Sequence, residues 1–196
     1  MKKSNLLLFV ILFIFVFIPR AVFSAPTDII NEANQMEPLI PKVKATLAKE
    51  FGIFINYPVK YFLVKSEELD NVYSGTYRGS EIGLHRYANG VHEVYIMKGM
   101  SEDSFEATLA HELTHAWQIE RCVPEQDLVV REGFARWIEY KYLDFIGAYV
   151  LANRVKNDAD PVYGVGLKKM FELEDKIGDK AMTNRVRSVV NINDIK

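Results

Sequence analysis

One change of hydrophobic period, at Gly99, constrains this chain more than any other feature of it. Before that point, Tyr57 to Lys65 (YPVKYFLVK), Ser80 to Tyr87 (SEIGLHRY) and Val91 to Met97 (VHEVYIM) are rich in β-branched and aromatic residues, as strands are. Ala88-Asn89-Gly90 joins the last two, and Asn-Gly is the signal of a tight hairpin. After Gly99, apolar residues recur at helical spacing, and Asp103 followed by Glu106 forms a capping-box-like start. The pattern predicts a helix to about Arg121, an interruption at Pro124, and a second helix from about Glu125 through Phe145. LANRV, GLKKMFELEDKI and DKAMTNRVRSVV read as shorter helices, separated by Asp-Ala-Asp-Pro and Ile-Gly-Asp. Upstream, residues 28 to 51 carry helical spacing from Ile29 to Phe51, which Pro38 and Pro41 are expected to divide. Helix, small sheet, then helices is the order of an α+β fold.

Residues 1 to 24 are not expected to belong to that fold. Lys2 and Lys3 precede an apolar run from Leu6 to Ile18, which is shorter than the roughly 20 residues that cross a bilayer as a helix. Val22 and Ser24 suit the cleavage site of a signal peptide before Ala25, with an uncleaved anchor as the alternative. Residues 25 to 196 are then expected to form a single exported domain, periplasmic or extracellular, with no stable membrane association after cleavage. No long Pro, Gly or Ser linker divides it. Loss of Lys2, Lys3 and Arg20 leaves 21 basic against 26 acidic residues, a formal charge of −5. With that balance, no basic stripe and no glycine-rich phosphate loop, nucleic acid is not an expected partner. Cys122 is the only cysteine, so an exported domain must stand on its core without an internal disulfide, and a structural role for the thiol is expected.

The helix after Gly99 contains HELTHAW, residues 111 to 117. At 100° per residue, His111 and His115 share a face with Ala107, Thr108, Thr114 and Gln118, while Phe105, Leu109, Leu113, Ala116 and Trp117 take the apolar back. The front is small and polar, leaving space above the imidazoles. Two histidines one turn apart can converge on one tetrahedral ion, with Glu112 at the edge of the same face within reach of activated water. The plain alternative is a solvated helix face. A catalytic zinc site needs a third protein ligand, and Glu132, seventeen residues after His115 in VVREGFARW, lies on the next predicted helix. A short connection around Cys122 and Pro124 would fold that helix back across the first. Gly133 beside it would permit close helix approach, which explains a residue that otherwise weakens a helix by about 1 kcal/mol.

HELTHAW followed by REG resembles the gluzincin group of zinc metallopeptidases, in which HExxH is completed by a glutamate from a following helix. More narrowly, it resembles the peptidase domain of the plant LIM-domain organ-size regulators and its stand-alone bacterial relatives. There a His-Ala-Trp sequence follows the motif and a Glu-Gly pair supplies the third ligand. The detailed match covers residues 107 to 137, with weaker echoes in GLHRY and DPVYGVGLKKMFELEDKIG. The LIM and ubiquitin-interacting modules are absent from this chain, so regulation by ubiquitin is not carried over.

The resemblance implies a zincin-like fold, with a small, mostly antiparallel sheet packed on the HExxH helix and a helical C-terminal part. It implies an exported zinc-dependent peptidase, and an endopeptidase in the first instance, with a peptide or protein as substrate. His111, His115 and Glu132 would hold Zn2+, and Glu112 would be the general base. It also implies an oxyanion donor, for which Tyr163 is the first candidate and His85 and His92 are weaker ones. Substrate is expected to add a strand at the sheet edge above the helix, and VHEVYIM is the candidate edge, with Val91, Glu93 and Tyr95 as substrate-binding residues. Gluzincins place an acidic residue one turn after the third ligand to orient a histidine. Arg136 stands there in this chain, so Asp127 or Glu139 is expected to serve. Trp117 and Trp137 are expected in the core, and FELEDKIGDK as a solvated face. The alternative function is a catalytically silent protein that keeps the scaffold to bind peptides or a partner.

Overall fold

The computed structural model describes residues 28–72 and 82–195. The expected signal peptide, and Ser80 and Glu81 of one expected strand, lie outside the described residues. The chain begins not as a helix but with β1, Ile29–Ile30, because Ile30 is drawn into the core and two apolar neighbours carry no period of their own. Helices α1, Ala33–Met36, and α2, Leu39–Phe51, follow. Pro38 caps α2, but Pro41 does not divide it: proline in the first turn removes an N–H that has no partner within the helix anyway.

Next come β2, Val59–Val64, the helix α3, Ser66–Val72, and the hairpin of β3, Gly83–Ala88, with β4, Val91–Met97. Asn89 and Gly90 both have positive φ, 52° and 78°, as the expected tight turn requires. The sheet order is β2-β4-β3, with β4 parallel to β2 and antiparallel to β3. It is therefore mixed rather than mostly antiparallel, and VHEVYIM is its centre rather than its edge. The consecutive buried residues Val94, Tyr95 and Ile96 are the signature of a strand covered on both faces. A short β5, Met100–Ser101, pairs antiparallel with β1.

The molecule is organised around α4, Glu102–Arg121, against which α2, α5 and the β3–β4 hairpin pack. Its N-cap is Ser101, whose hydroxyl accepts from Ser104 N, and not Asp103. Glu106 is buried instead of capping, and accepts from Lys42 Nζ at 2.5 Å and from the Tyr142 hydroxyl at 2.9 Å. Every residue from Phe105 to Gln118 is buried, so neither face of this helix is solvated. Polar groups enclosed that way must find partners, and the histidine face is where the partners gather.

Helices α5, Leu128–Phe145, α6, Tyr149–Lys156, α7, Tyr163–Ile177, and α8, Asp179–Val186, complete the fold before a 3-10 turn at Ile192–Asp194. Gly133 does allow a close helix approach, but to α7: a Cβ on it would lie 2.6 Å from the Cα of Gly166. Trp117 and Trp137 flank Phe134 in the core, at ring separations of 5.6 and 5.7 Å. The FELEDKIGDK segment is not a simple solvated face, since Leu173 is buried and Glu174 accepts from Trp137 Nε1 and Lys141 Nζ. Among the described residues, no helix is long and apolar enough to cross a membrane. The result is an α+β protein with a small mixed sheet and several helices.

Candidate metal centre

Two helices build the centre. His111 and His115 lie one turn apart on α4, and α5 brings Glu132 across to them from its second turn. The start of α5 is fixed by Asp127, the N-cap, which accepts from Val130 N at 2.7 Å and from Ile192 N at 3.1 Å. That double use removes Asp127 from the candidates for orienting a histidine. His111 Nε2 and His115 Nε2 are 3.1 Å apart, and Glu132 Oε2 lies 3.4 and 3.2 Å from them.

The outer nitrogens decide what the inner ones are. His111 Nδ1 meets Glu139 Oε2 at 3.1 Å, and His115 Nδ1 meets Gln118 Oε1 at 2.8 Å. Both partners are acceptors, because Glu139 also takes two bonds from Arg136 and Gln118 donates its own Nε2 to Arg131 O. Each imidazole must then donate from Nδ1, which in the neutral ring leaves a lone pair on Nε2. Two lone pairs and a carboxylate oxygen converge, and Glu132 Oε2 is buried with no hydrogen-bond partner. The place between them requires positive charge. A proton is one way to supply it: burial opposes charge on His111, but the neighbouring carboxylates of Glu132 and Glu139 overcome this and raise its pKa to about 10. The carboxyl of Glu132, despite burial, is held well below the usual carboxylate range by His115 and His111. One proton cannot satisfy three acceptors, whereas a metal ion can, and this buried group of His111, His115 and Glu132 can hold one.

Of the two carboxylates that the sequence left open for orienting a histidine, Glu139 is the one in contact with His111. Arg136, at the position where an acid was expected, holds Glu139 on one side and Asp158 Oδ2, at 2.8 Å, on the other. Despite burial, contact with His111 and Arg136 keeps Glu139 below its usual pKa. Gln118 was legible as a member of the histidine face, but its grip on His115 was not.

Glu112 opens onto a cleft of about 360 Å³, which Ile82, Gly83, Thr108, His111 and Tyr163 also line, with Arg136, Glu139, Asp158 and Asp160 beyond. Burial raises the pKa of Glu112 above that of an ordinary glutamate. β3 crosses directly over it: a Cβ on Gly83 would lie 2.6 Å from Glu112 Oε1 and from Thr108 Cγ2. Gly83 was missed in the sequence, although an isolated glycine in a strand pattern is a recognised sign of close approach. Tyr163, the first residue of α7, stands with its ring 6.3 Å from that of His111 and under the guanidinium of Arg136.

The other expected residues lie elsewhere. His85 Nε2 meets His92 Nδ1 at 2.8 Å, and His92 Nε2 meets Glu120 Oε1 at 3.3 Å. Glu120 also accepts the backbone N–H of Asn56 and of Tyr57, so its carboxyl oxygens act as acceptors. His92 therefore donates to Glu120 and accepts from His85, which is left with only a lone pair to offer. Burial, with His115, His92 and Arg131 adding to it, lowers the pKa of His85 to about 3. Neither histidine is placed to donate to an oxyanion. Val91, Glu93 and Tyr95 are on the sheet face away from α4, since His92, Val94 and Ile96 face inward. Glu93 pairs there with Arg86, and Tyr95 stacks on Phe62 at 4.6 Å.

The strand beside the cleft is β3. Ile82 O accepts from Met97 N at 2.9 Å, so the alternation of an antiparallel ladder turns the N–H and C=O of Gly83, His85 and Tyr87 away from β4. Among the described residues, no strand pairs with that edge. Cys122 ends α4, and burial pushes its thiol up to about 12, in keeping with a structural role. Comparison of the chain with protein-family models, curated proteins and solved structures finds no match. Its function is therefore argued from the centre itself.

Proposed function

We propose that this chain is an exported zinc peptidase of the gluzincin kind, acting on extended peptide segments. The observation that carries the reading is the convergence of His111 Nε2, His115 Nε2 and Glu132 Oε2 while both Nδ1 atoms are engaged. Ligand atoms roughly 2.0–2.2 Å from zinc at tetrahedral angles lie about 3.3–3.6 Å apart, and the three separations here, 3.1, 3.2 and 3.4 Å, lie near or a little below the short end of that range. Among the described residues three side chains converge, which supports a catalytic rather than a closed structural zinc site. Zinc held there supplies Lewis acidity toward water and toward a carbonyl oxygen.

The chain's own groups do the rest. Glu112 is on the wall of the cleft beside the ligands, and burial moves its pKa toward neutrality, as a general base requires. It takes a proton from the attacking water and returns it to the departing amine. Tyr163, across the cleft, is the candidate hydroxyl donor to the developing oxyanion. Glu139 and Gln118 hold the two imidazoles in the tautomer that binds metal. The edge of β3 that no described strand pairs with offers backbone groups at Gly83, His85 and Tyr87 to a peptide, which would make the added strand run past Glu112.

The test compares the purified protein with Glu112→Gln. About one zinc per chain in both, with a fall of at least ~100-fold in kcat/KM on an unstructured peptide mixture for the variant, is the expected result. Turnover retained by the variant removes Glu112 from the mechanism. Zinc in both proteins with turnover in neither favours the silent peptide-binding scaffold. No zinc retained at neutral pH removes the metal reading altogether.

A further inference from the structure

The inner row of β3 continues past the metal centre to a feature that the hydrolytic machinery does not use. Gly83, His85 and Tyr87 are two residues apart and face α4: Gly83 lies over Glu112, the His85 ring is 6.4 Å from that of His115, and Tyr87 is opposite His92. At ~3.4 Å per residue, Tyr87 is about 7 Å along the strand from His85 and about 14 Å from Gly83. There it meets Tyr57, with ring centroids 6.0 Å apart. Both rings rest on His92, which is fully buried, at 4.6 Å for Tyr87 and 6.2 Å for Tyr57. Yet they are themselves 39% and 51% exposed.

We propose that Tyr57 and Tyr87 form a specificity subsite for an aromatic or large aliphatic side chain of a peptide bound along β3, two to four residues from the cleaved bond. The proposal rests on the peptidase reading above and adds to it a substrate class. Three observations carry it. First, the backbone groups of Tyr87 are on the edge of β3 that no described strand pairs with, and residues directly opposite across a strand pair project to the same face. The side chain of a peptide residue opposite Tyr87 is thus delivered onto the pair. Second, the pair is held in place before any ligand arrives. Glu120 grips the Tyr57 backbone N–H at 2.9 Å, and His92, itself bonded to Glu120, lies under both rings. Third, the surface offered is ring carbon. The carboxylate beneath, Glu120, is buried and engaged, and Arg86 is on the opposite face with Glu93, so among the described residues no charge of either sign is placed to select a charged residue.

The experiment uses zinc-loaded protein produced from the full chain and a peptide library randomised on both sides of the cleaved bond, with products read by mass spectrometry. Phe, Tyr, Trp or Leu should be enriched at one position two to four residues from the bond. In a matched pair of peptides, replacing that residue with Asp should lower kcat/KM about three- to tenfold, the size of one aromatic contact. Tyr57→Ser and Tyr87→Ser should each reduce the ratio between the two peptides toward one, whereas Tyr57→Phe and Tyr87→Phe should keep it. A wild-type protein that cleaves the pair equally overturns the subsite and leaves the peptidase reading intact. A ratio unchanged in both serine variants does the same. If the zinc-loaded protein cleaves nothing in the library, both fall together.

Discussion

At the scale of single residues, the centre depends on what holds the ligands as much as on the ligands. His111, His115 and Glu132 are legible in the sequence because helical spacing places two imidazoles on one face and the chemistry of zinc asks for a third donor. Glu139, Gln118 and Gly83 are less legible, since their roles exist only once β3 and α5 have closed over α4. Glu139 is the most exposed to test. Its carboxylate accepts from His111 Nδ1 and carries the charge that answers Arg136. Glu139→Gln keeps the shape and an acceptor oxygen but removes that charge, so the imidazole becomes a poorer donor to metal. We predict a 10- to 100-fold weaker zinc affinity, of the order found for carboxylates behind zinc-binding histidines. Competition against a chromogenic chelator measures it, and an unchanged dissociation constant would show that Glu139 serves only to neutralise Arg136.

At the scale of elements, sequence periodicity recovers α4 and β4 almost to the residue, and the hairpin from Asn89-Gly90, because those signals are local. It does not recover which strand is central or which helix receives Gly133, because those are choices among partners. The α5–α7 crossing shows why. Gly133 and Gly166 face each other with their backbones in contact, and a Cβ on Gly166 would lie 2.5 Å from Val129 O and 2.6 Å from Gly133 Cα. Alanine at position 133 would ordinarily strengthen a helix by about 1 kcal/mol. Here it must push two backbones apart, and neither is the yielding end of a side chain. Overpacking of that kind costs about 1–3 kcal/mol or more. Gly133→Ala is therefore expected to lower the urea midpoint with little change in slope. Because Glu132 precedes it on the same turn, zinc affinity should fall as well. A variant as stable as the parent would mean that the helices can separate without loss, and that the glycine pair is not what sets their distance.

At the scale of the whole molecule, α4 and α5 are joined on two levels: Glu106 with Tyr142 toward one end, and the His111, His115, Glu132 and Glu139 cluster toward the other. A chain whose only cysteine is Cys122 has no internal disulfide to add to this, so an ion held by His111, His115 and Glu132 would act as a cross-link between the two helices. Free zinc at a hundred times its dissociation constant stabilises the folded state by about 2.7 kcal/mol. For a domain of this size that corresponds to a Tm higher by roughly 5–11 °C than in a chelator. The gap should also depend on pH in a definite direction. Without metal, His111 is the group that takes up charge, and its pKa is raised from 6.5 to about 10. A raised folded-state pKa contributes stability that is fully present below pH 6.5 and is lost as pH rises through 10. The metal-free protein should thus lose Tm across that window. Zinc binding, which displaces the same proton, should become more favourable over it. Calorimetry with and without chelator at pH 6.5 and pH 9 is expected to show the wider gap at pH 9. A gap that is constant or narrower at the higher pH would mean that the proton on His111 does not occupy the place of the ion, and that the three acceptors do not compete for a single charge.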